Sequence, residues 1–444
     1  MKNFFEAKSI AVVGVSREPN KVGAILFNQL LRNFKGDVYG VNPNVNSLYG
    51  NKIYKKLSDI NKKIDLTVIA VPAAFVIDII KEMPSVNCKN VVIISAGFKE
   101  IGNDKLELKL KEELDQRNIK AVGVNCLGIY DAYSGIDAIF LPSERVQRPG
   151  KGGISFICQS GAIGGAILDL MASKNYGVSK FISFGNATNL DSVDYLDYLG
   201  KDKNTKVICV YIEAVKDGKK CLEICKNIKK PVIVLKGGLT HEGNKATLSH
   251  TGALAGDPRV YLGAFKQAGT VYAENLEDMF NYSRLLEKSI KPKGDRILTI
   301  TNGGGFGILG TDNIIKYGLK LAELSSETKK KLKEKFPKLV IVDNPMDLIG
   351  DATDERYGLA LEYAVKDKNI DIILITLDYQ TPLLTPNIVN VISKYKNKKP
   401  IIVASTGGSP TEKIKRILES RGIVCFDYPE TAVRSIKQLV EYHK

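Results

Sequence analysis

Apolar residues along this chain fall in short unbroken runs rather than in strict alternation. They occupy 10–15, 38–41, 66–71, 91–95 and 121–124, then 154–158, 181–184, 207–212, 232–235 and 270–273, then 297–301, 319–324, 372–377, 401–405 and 423–426. Each run is followed by small or turn-forming residues and then by a stretch with helical periodicity. A strand that is apolar on both faces belongs in a parallel sheet covered by helices on both sides. The pattern therefore predicts an α/β fold of three doubly wound parallel-sheet domains. Two polar, breaker-rich stretches separate the three sets of runs, PSERVQRPGKGG (142–153) and KSIKPKGDR (288–296). They place the domains at 1–141, 142–287 and 288–444, in keeping with a length that is too great for one core.

Ligands of open parallel sheets bind beyond the carboxyl ends of the strands, so the residues after each run are the candidate chemistry. In the first domain these are GVSREPNKVG (14–23), VNPN (41–44), VP (71–72), SAGFKE (95–100) and VNCLG (124–128). Gly14 and Gly23 let backbone approach a phosphate at a helix start, and Lys21 adds a cation. The middle glycine of GxGxxG is missing, and Asn42 stands where an acidic residue would grip a ribose hydroxyl. Another phosphorylated adenine nucleotide fits better than NAD, which stays open as an alternative.

The second domain opens with ISFICQSGAIGGAIL. Ser160 and Gly161 offer a hydroxyl and backbone N–H groups to an anion, or simply cap a helix. Gly185, Asn186 and Asp191 follow the next run on the same edge. Glu213 stands just past a wholly apolar strand, with Lys216 the one basic residue close by in sequence. The stretch ATLSHTGALAGD (246–257) holds His250, one of three histidines, among small residues. A small, loose loop would let that imidazole move and present a nucleophilic nitrogen near neutral pH, the alternative being an exposed histidine without a role. If the strands at 207–212 and 232–235 are neighbours, Glu213 and His250 reach one crevice. A carboxylate holding one ring nitrogen fixes the tautomer and frees the other nitrogen for attack, as a phosphorylated histidine requires. In the third domain TITNGGGFGILGTD sets Asn302, Gly303, Gly304, Gly305 and Gly307 at another helix start. Such density costs about 1 kcal/mol of helix stability per glycine and predicts a second anion cradle, to which 344–347 (NPMD) can add polar groups. No P-loop motif GxxxxGK[ST] occurs.

With 44% hydrophobic and 25% charged residues the chain can bury real cores. The net charge of +15 comes from scattered lysines, which reads as solvated faces with a general attraction for polyanions rather than as a nucleic-acid tract. No nucleic-acid partner is expected. Seven cysteines at irregular spacings fit a reduced, cytoplasmic setting. Cys221 and Cys225 share a helical face but lack further ligands, so they read as core and no metal site is expected. The first apolar run is only IAVVGV (10–15), behind charged residues, and no run of about 18 apolar residues occurs elsewhere, so neither a signal peptide nor a membrane span is expected.

Taken in order, GVSREPNKVG, VNPN, SAGFKE, VNCLG, CQSGA, YIEAV, SHTGALAGD and TNGGGFG resemble the alpha subunits of ADP-forming acetyl-CoA synthetases, in the NDP-forming acyl-CoA synthetase and succinyl-CoA synthetase superfamily. The resemblance spans essentially the whole chain. It implies a Rossmann-like CoA-binding domain followed by two flavodoxin-like ligase domains, and the conversion of acetyl-CoA, ADP and phosphate to acetate, ATP and CoA. By the same resemblance His250 matches the phosphorylated histidine and Glu213 its supporting glutamate. Ser160 and Gly161 match one phosphate-holding helix start, and Asn302, Gly303, Gly304 and Gly305 the other. CoA falls to Gly14, Val15, Ser16, Lys21, Asn42, Pro43, Val71, Pro72, Ser95, Ala96, Gly97, Glu100, Asn125 and Cys126. Val124 departs from the proline common in the family's GPNCLG. Nothing in the sequence resembles an ATP-grasp module, which implies a separate beta subunit, an α2β2 assembly, and ADP or ATP with Mg²⁺ held on that partner. The alternatives are a non-catalytic CoA-binding regulator, which would have no use for His250, and an NAD-dependent oxidoreductase.

Overall fold

The unbroken apolar runs become buried parallel strands, because a strand sandwiched between helices has no face left for water. A computed structural model describes residues 1–251 and 257–444, and the side chains of 246, 248–251 and 258 also lie outside the described set. The described residues divide into two units, Met1–Ser283 and Arg284–Lys444.

The first unit holds two sheets. One is built from β1 (Ser9–Val13), β2 (Asp37–Val41), β3 (Ser47–Leu48), β4 (Asn51–Tyr54), β5 (Leu66–Ile69), β6 (Asn90–Ile93) and β7 (Lys120–Gly123), in the order β3-β4-β2-β1-β5-β6-β7. Its six parallel strands reverse direction of progression at β1, the doubly wound arrangement whose switch point is a ligand crevice. The helix Val22–Asn33 packs Leu26, Phe27 and Leu30 on one face with Val12 and Val68. The helices Ala73–Glu82 and Asp104–Gln116 cover the other face, where Val76, Ile80, Leu110 and Leu114 meet Ala11, Ile69 and Val91.

The other sheet comprises β8 (Gly128–Asp131), β9 (Ile136–Ile139), β10 (Lys151–Cys158), β11 (Val178–Ser183), β12 (Val207–Ile212), β13 (Val232–Lys236) and β14 (Val271–Ala273). Its order is β14-β13-β12-β10-β11-β8-β9. The parallel strands run 2-1-3-4-5, with the switch between β10 and β12. The antiparallel hairpin β8–β9 precedes residue 141, yet it extends this second sheet through β8–β11 pairing. The chain before residue 141 therefore contributes strands to both sheets.

The second unit repeats the 2-1-3-4-5 order with β15 (Arg296–Thr301), β16 (Lys320–Leu321), β17 (Met346–Asp347), β18 (Ile372–Thr376), β19 (Ile401–Ala404) and β20 (Cys425–Phe426), arranged β16-β15-β18-β19-β20 with β17 beside β15. Its core puts Leu298, Ile300, Ile373 and Ile375 on one face and Ile297, Ile372, Leu374 and Ile402 on the other. No described helix is long and apolar enough to cross a membrane.

One local expectation changes. Residues 241–251 form a helix, not a loop. The Thr240 hydroxyl accepts from the Gly243 N–H at 2.9 Å, and Thr247 bonds back to the Gly243 carbonyl at 3.0 Å. The first of these bonds caps the helix start, which the surrounding glycines and small residues concealed in the sequence. The expected mobile stretch continues into 252–256, which lie outside the described residues.

Candidate functional site

A cavity of about 650 Å³ lies in the first unit where the carboxyl edges of its two sheets meet. The first sheet contributes Val71, Ser95, Ala96, Asn125 and Cys126. The second contributes Gln159, Ser160, Gly161, Ala162, Gly185 and Asn186, and Leu127, Phe140 and Leu141 add an apolar wall. The Ser95 hydroxyl donates to the Val71 carbonyl at 2.5 Å, which ties the ends of β5 and β6. Asn125 adopts φ 52° and donates to the Asn186 side-chain carbonyl at 3.3 Å. A Cβ on Gly185 would sit 2.1 Å from the Asn125 carbonyl oxygen, so only glycine lets these two loops cross. Burial pushes the Cys126 thiol up to about 12, and the thiol donates to the Ile93 carbonyl. Cys126 is thus a neutral wall and not a nucleophile.

Other residues expected at CoA have partners of their own. Gly14, at φ 97°, lies against Gly23 so closely that a Cβ on Gly23 would fall 1.9 Å from the Gly14 carbonyl oxygen. The pair lets the helix Val22–Asn33 approach the end of β1. Val15 is buried and Pro43 and Pro72 are exposed. Asn42 donates to the Val15 carbonyl at 2.6 Å and accepts from the Asn44 N–H at 2.8 Å. Ser16 accepts from the Glu18 N–H, and Lys21 pairs with Glu18 at the surface. Glu100 accepts from the N–H groups of Gly97 and Phe98 and from the Asn186 amide. Burial pushes its carboxyl up, but those donors outweigh it and hold the group below its ordinary value.

On the second sheet Ser160 caps the helix Gly161–Ser173, its oxygen accepting from the Ile163 N–H at 3.4 Å. Among the described residues the N–H groups of Gly161 and Ala162 meet no acceptor. They line the cavity at the positive end of a 13-residue helix, the arrangement that binds anions. One residue earlier, Gln159 reaches across the switch point. Its backbone N–H donates to the Tyr211 carbonyl at 3.0 Å. Its side-chain oxygen accepts from the N–H groups of Glu213 at 2.8 Å and Ala214 at 3.3 Å.

β12 and β13 are neighbours, as the crevice required. Glu213 is buried, and its carboxylate accepts from the Tyr211 hydroxyl at 3.3 Å. Among the described residues Lys236, at the end of β13, is a cation on which the Glu213 charge acts; no motif in the sequence marks it. Burial lowers the Lys236 ammonium and the Glu213 charge offsets that in part, while its Nζ stands 4.8 Å over the Tyr261 ring. Lys216 instead donates to the Ala187 carbonyl. Tyr211 is raised by burial first and by the Glu213 charge next. The His250 backbone belongs to the helix His241–Thr251, and its side chain lies outside the described residues.

In the second unit the glycine-rich start of the helix Gly304–Lys316 follows β15. Asn302 is buried, and all of its polar capacity is engaged. It accepts from the Tyr357 hydroxyl at 2.8 Å and the Asp378 N–H at 2.9 Å, and donates to the Asp378 carbonyl and the Thr381 hydroxyl, each at 2.9 Å. The Gly303 N–H donates to the Thr301 hydroxyl. The carboxylate of Asp347 lies 3.0 Å from where a Gly304 Cβ would stand, whereas Gly305 has open space around it. Of the N–H groups in the anion cradle expected here, those of Gly304 and Gly305 meet no acceptor among the described residues. Among the described residues no group of three His, Cys, Asp or Glu side chains could hold a metal ion.

Comparison with known proteins adds three family matches: a CoA binding domain over residues 8–132, a succinyl-CoA ligase like flavodoxin domain over 151–286 and a ligase-CoA domain over 297–439. The chain is 36% identical over 451 residues to the alpha subunit of acetate–CoA ligase [ADP-forming] II of Pyrococcus furiosus, covering 99% of this chain and 97% of that one. It is 39% identical to acetate–CoA ligase [ADP-forming] of Methanocaldococcus jannaschii, covering 98% of this chain but 62% of that longer one. It is similar in structure to the dinucleotide forming acetyl-coenzyme A synthetase 1 of Ca. Korarchaeum cryptofilum in complex with phosphate and ADP. That match has a TM-score of 0.92 and 34% identity, covering 99% of this chain and 96% of that one.

Proposed function

Since the chain belongs to the family of ADP-forming acetate–CoA ligase alpha subunits, we propose that it converts acyl-CoA, ADP and phosphate to acid, ATP and CoA through a phosphorylated His250. The observation that carries this reading is the placement of two acceptor-free helix N–H groups, those of Gly161 and Ala162, in a cavity shared by both sheets and linked through Gln159 to Glu213. CoA enters along the carboxyl edge of the first sheet, with Val71, Ser95, Ala96, Asn125 and Cys126 against it. Phosphate sits at the Ser160–Gly161 helix start. One of its oxygens attacks the thioester carbon, the C–S bond breaks, and the phosphate proton ends on the CoA thiol. The resulting acyl phosphate gives its phosphoryl group to His250, and the acid leaves. Glu213 supports the imidazole by accepting from one ring nitrogen, with the Lys236 ammonium on the neighbouring strand end. Phosphoryl transfer depends on such positioning and charge stabilisation more than on covalent help from the protein.

A separate ATP-grasp subunit holds ADP and Mg²⁺ and takes the phosphoryl group from His250, in an α2β2 assembly. The test is incorporation of radiolabelled phosphate from acetyl-CoA plus phosphate into the full chain. An acid-labile, base-stable label that disappears in His250→Ala is the expected outcome. Equal labelling of His250→Ala removes the histidine from the reaction.

A further inference from the structure

The second and third sheets use one device at their switch points. In each, the residue directly after the central strand carries an amide whose side-chain oxygen accepts a backbone N–H from the residues after the neighbouring strand. Asn302 takes the Asp378 N–H, and Gln159 takes those of Glu213 and Ala214. Two N–H donors fix which end of the Gln159 amide is oxygen, so its Nε2 must face the other way. The copies then diverge. Asn302 Nδ2 is engaged twice within the protein, by Asp378 and Thr381. Gln159 Nε2 meets no acceptor among the described residues, and Gln159 lines the cavity beside Gly161 and Ala162.

We propose that Gln159 is a further phosphoryl-contacting residue of this site, its Nε2 donating to an oxygen of the phosphoryl group held at the Gly161 helix start. This rests on the ligase reading above and deepens it. The same side chain then joins the bound anion to the backbone of Glu213, so that filling the helix start and placing the glutamate are one hydrogen-bonded event.

The test uses the full chain in the half-reaction acetyl phosphate plus CoA to acetyl-CoA plus phosphate, followed by thioester absorbance. Gln159→Glu keeps the acceptor for the two backbone N–H groups but replaces the donor with negative charge. Its KM for acetyl phosphate should rise at least about tenfold, the scale of one lost charge-assisted hydrogen bond, while the KM for CoA stays within about twofold. Gln159→Met, which has neither donor nor charge, should raise the same KM by a smaller factor. An unchanged KM for acetyl phosphate in both variants overturns the inference. So does a parallel loss toward both substrates with a lowered melting temperature in both, which makes Gln159 a scaffold only. A wild-type chain inert in this half-reaction overturns the ligase reading itself and the inference with it.

Discussion

At the scale of single residues, what matters is where each polar atom is engaged. Asn302 stands inside the motif TNGGGFG that predicted an anion cradle, yet its four hydrogen bonds make it a knot joining the loops after β15 and β18 and the hydroxyl of the buried Tyr357. Asn302→Ala strands the Tyr357 hydroxyl and the Asp378 N–H without partners. An unsatisfied buried polar group costs roughly 1–3 kcal/mol, so a loss of about 3 kcal/mol is expected for the second unit. Denaturant unfolding measures it directly. A stable Asn302→Ala variant with impaired activity would instead place Asn302 at the ligand. A motif reports residue types, and it does not report which atoms the fold has already engaged. The motifs that hold Asn42, Glu100 and Asn302 therefore do not show the protein hydrogen bonds these side chains make, and the placement of Gln159 and Lys236 depends on β10, β12 and β13 lying side by side.

At the scale of elements, the long buried strands were legible because a parallel strand covered on both faces has to be continuously apolar. The short ones were not. β3, β4 and β17 are two to four residues long and partly exposed, too brief to show any period. The hairpin β8–β9 was hidden for another reason: it precedes the polar stretch at 142–153 but pairs with β11, which follows it. The helix starts can be tested as elements too. Gly305 lies in the first turn of the helix Gly304–Lys316 with nothing within 4 Å of an added Cβ. As a purely structural position, Gly305→Ala should stabilise the second unit by about 0.5–1 kcal/mol, the usual difference between the two residues in a helix. If the N–H groups there receive an anion, the methyl group also obstructs its approach. The expected outcome is a more stable variant with slower ATP formation, measured by melting temperature and coupled assay together. Undiminished turnover would show the helix start to be structural only.

At the scale of the whole molecule, the proposed function divides the reaction between this chain and a separate nucleotide-binding subunit. On the proposed reading, the cavity between the two sheets of the first unit supplies the donors for acyl exchange between CoA and phosphate, and Glu213 the carboxylate for a phosphorylated imidazole. Neither region offers a phosphate-binding lysine loop for a nucleoside diphosphate, and among the described residues no acidic group of three stands ready for its cation. On the proposed reading, acyl exchange and labelling of His250 should proceed with this chain alone, whereas ATP should form only when an ATP-grasp chain is supplied. With the partner present, withdrawing Mg²⁺ by chelation should stop ATP formation and leave acetyl-CoA synthesis from acetyl phosphate and CoA untouched. Parallel assays of thioester and ATP, with and without chelator, separate the two stages. ATP formed by this chain alone would place the nucleotide on it and end the division of labour, while chelator-sensitive thioester synthesis would put a cation in the acyl-exchange cavity, where Gln159 and the helix N–H groups are expected to suffice.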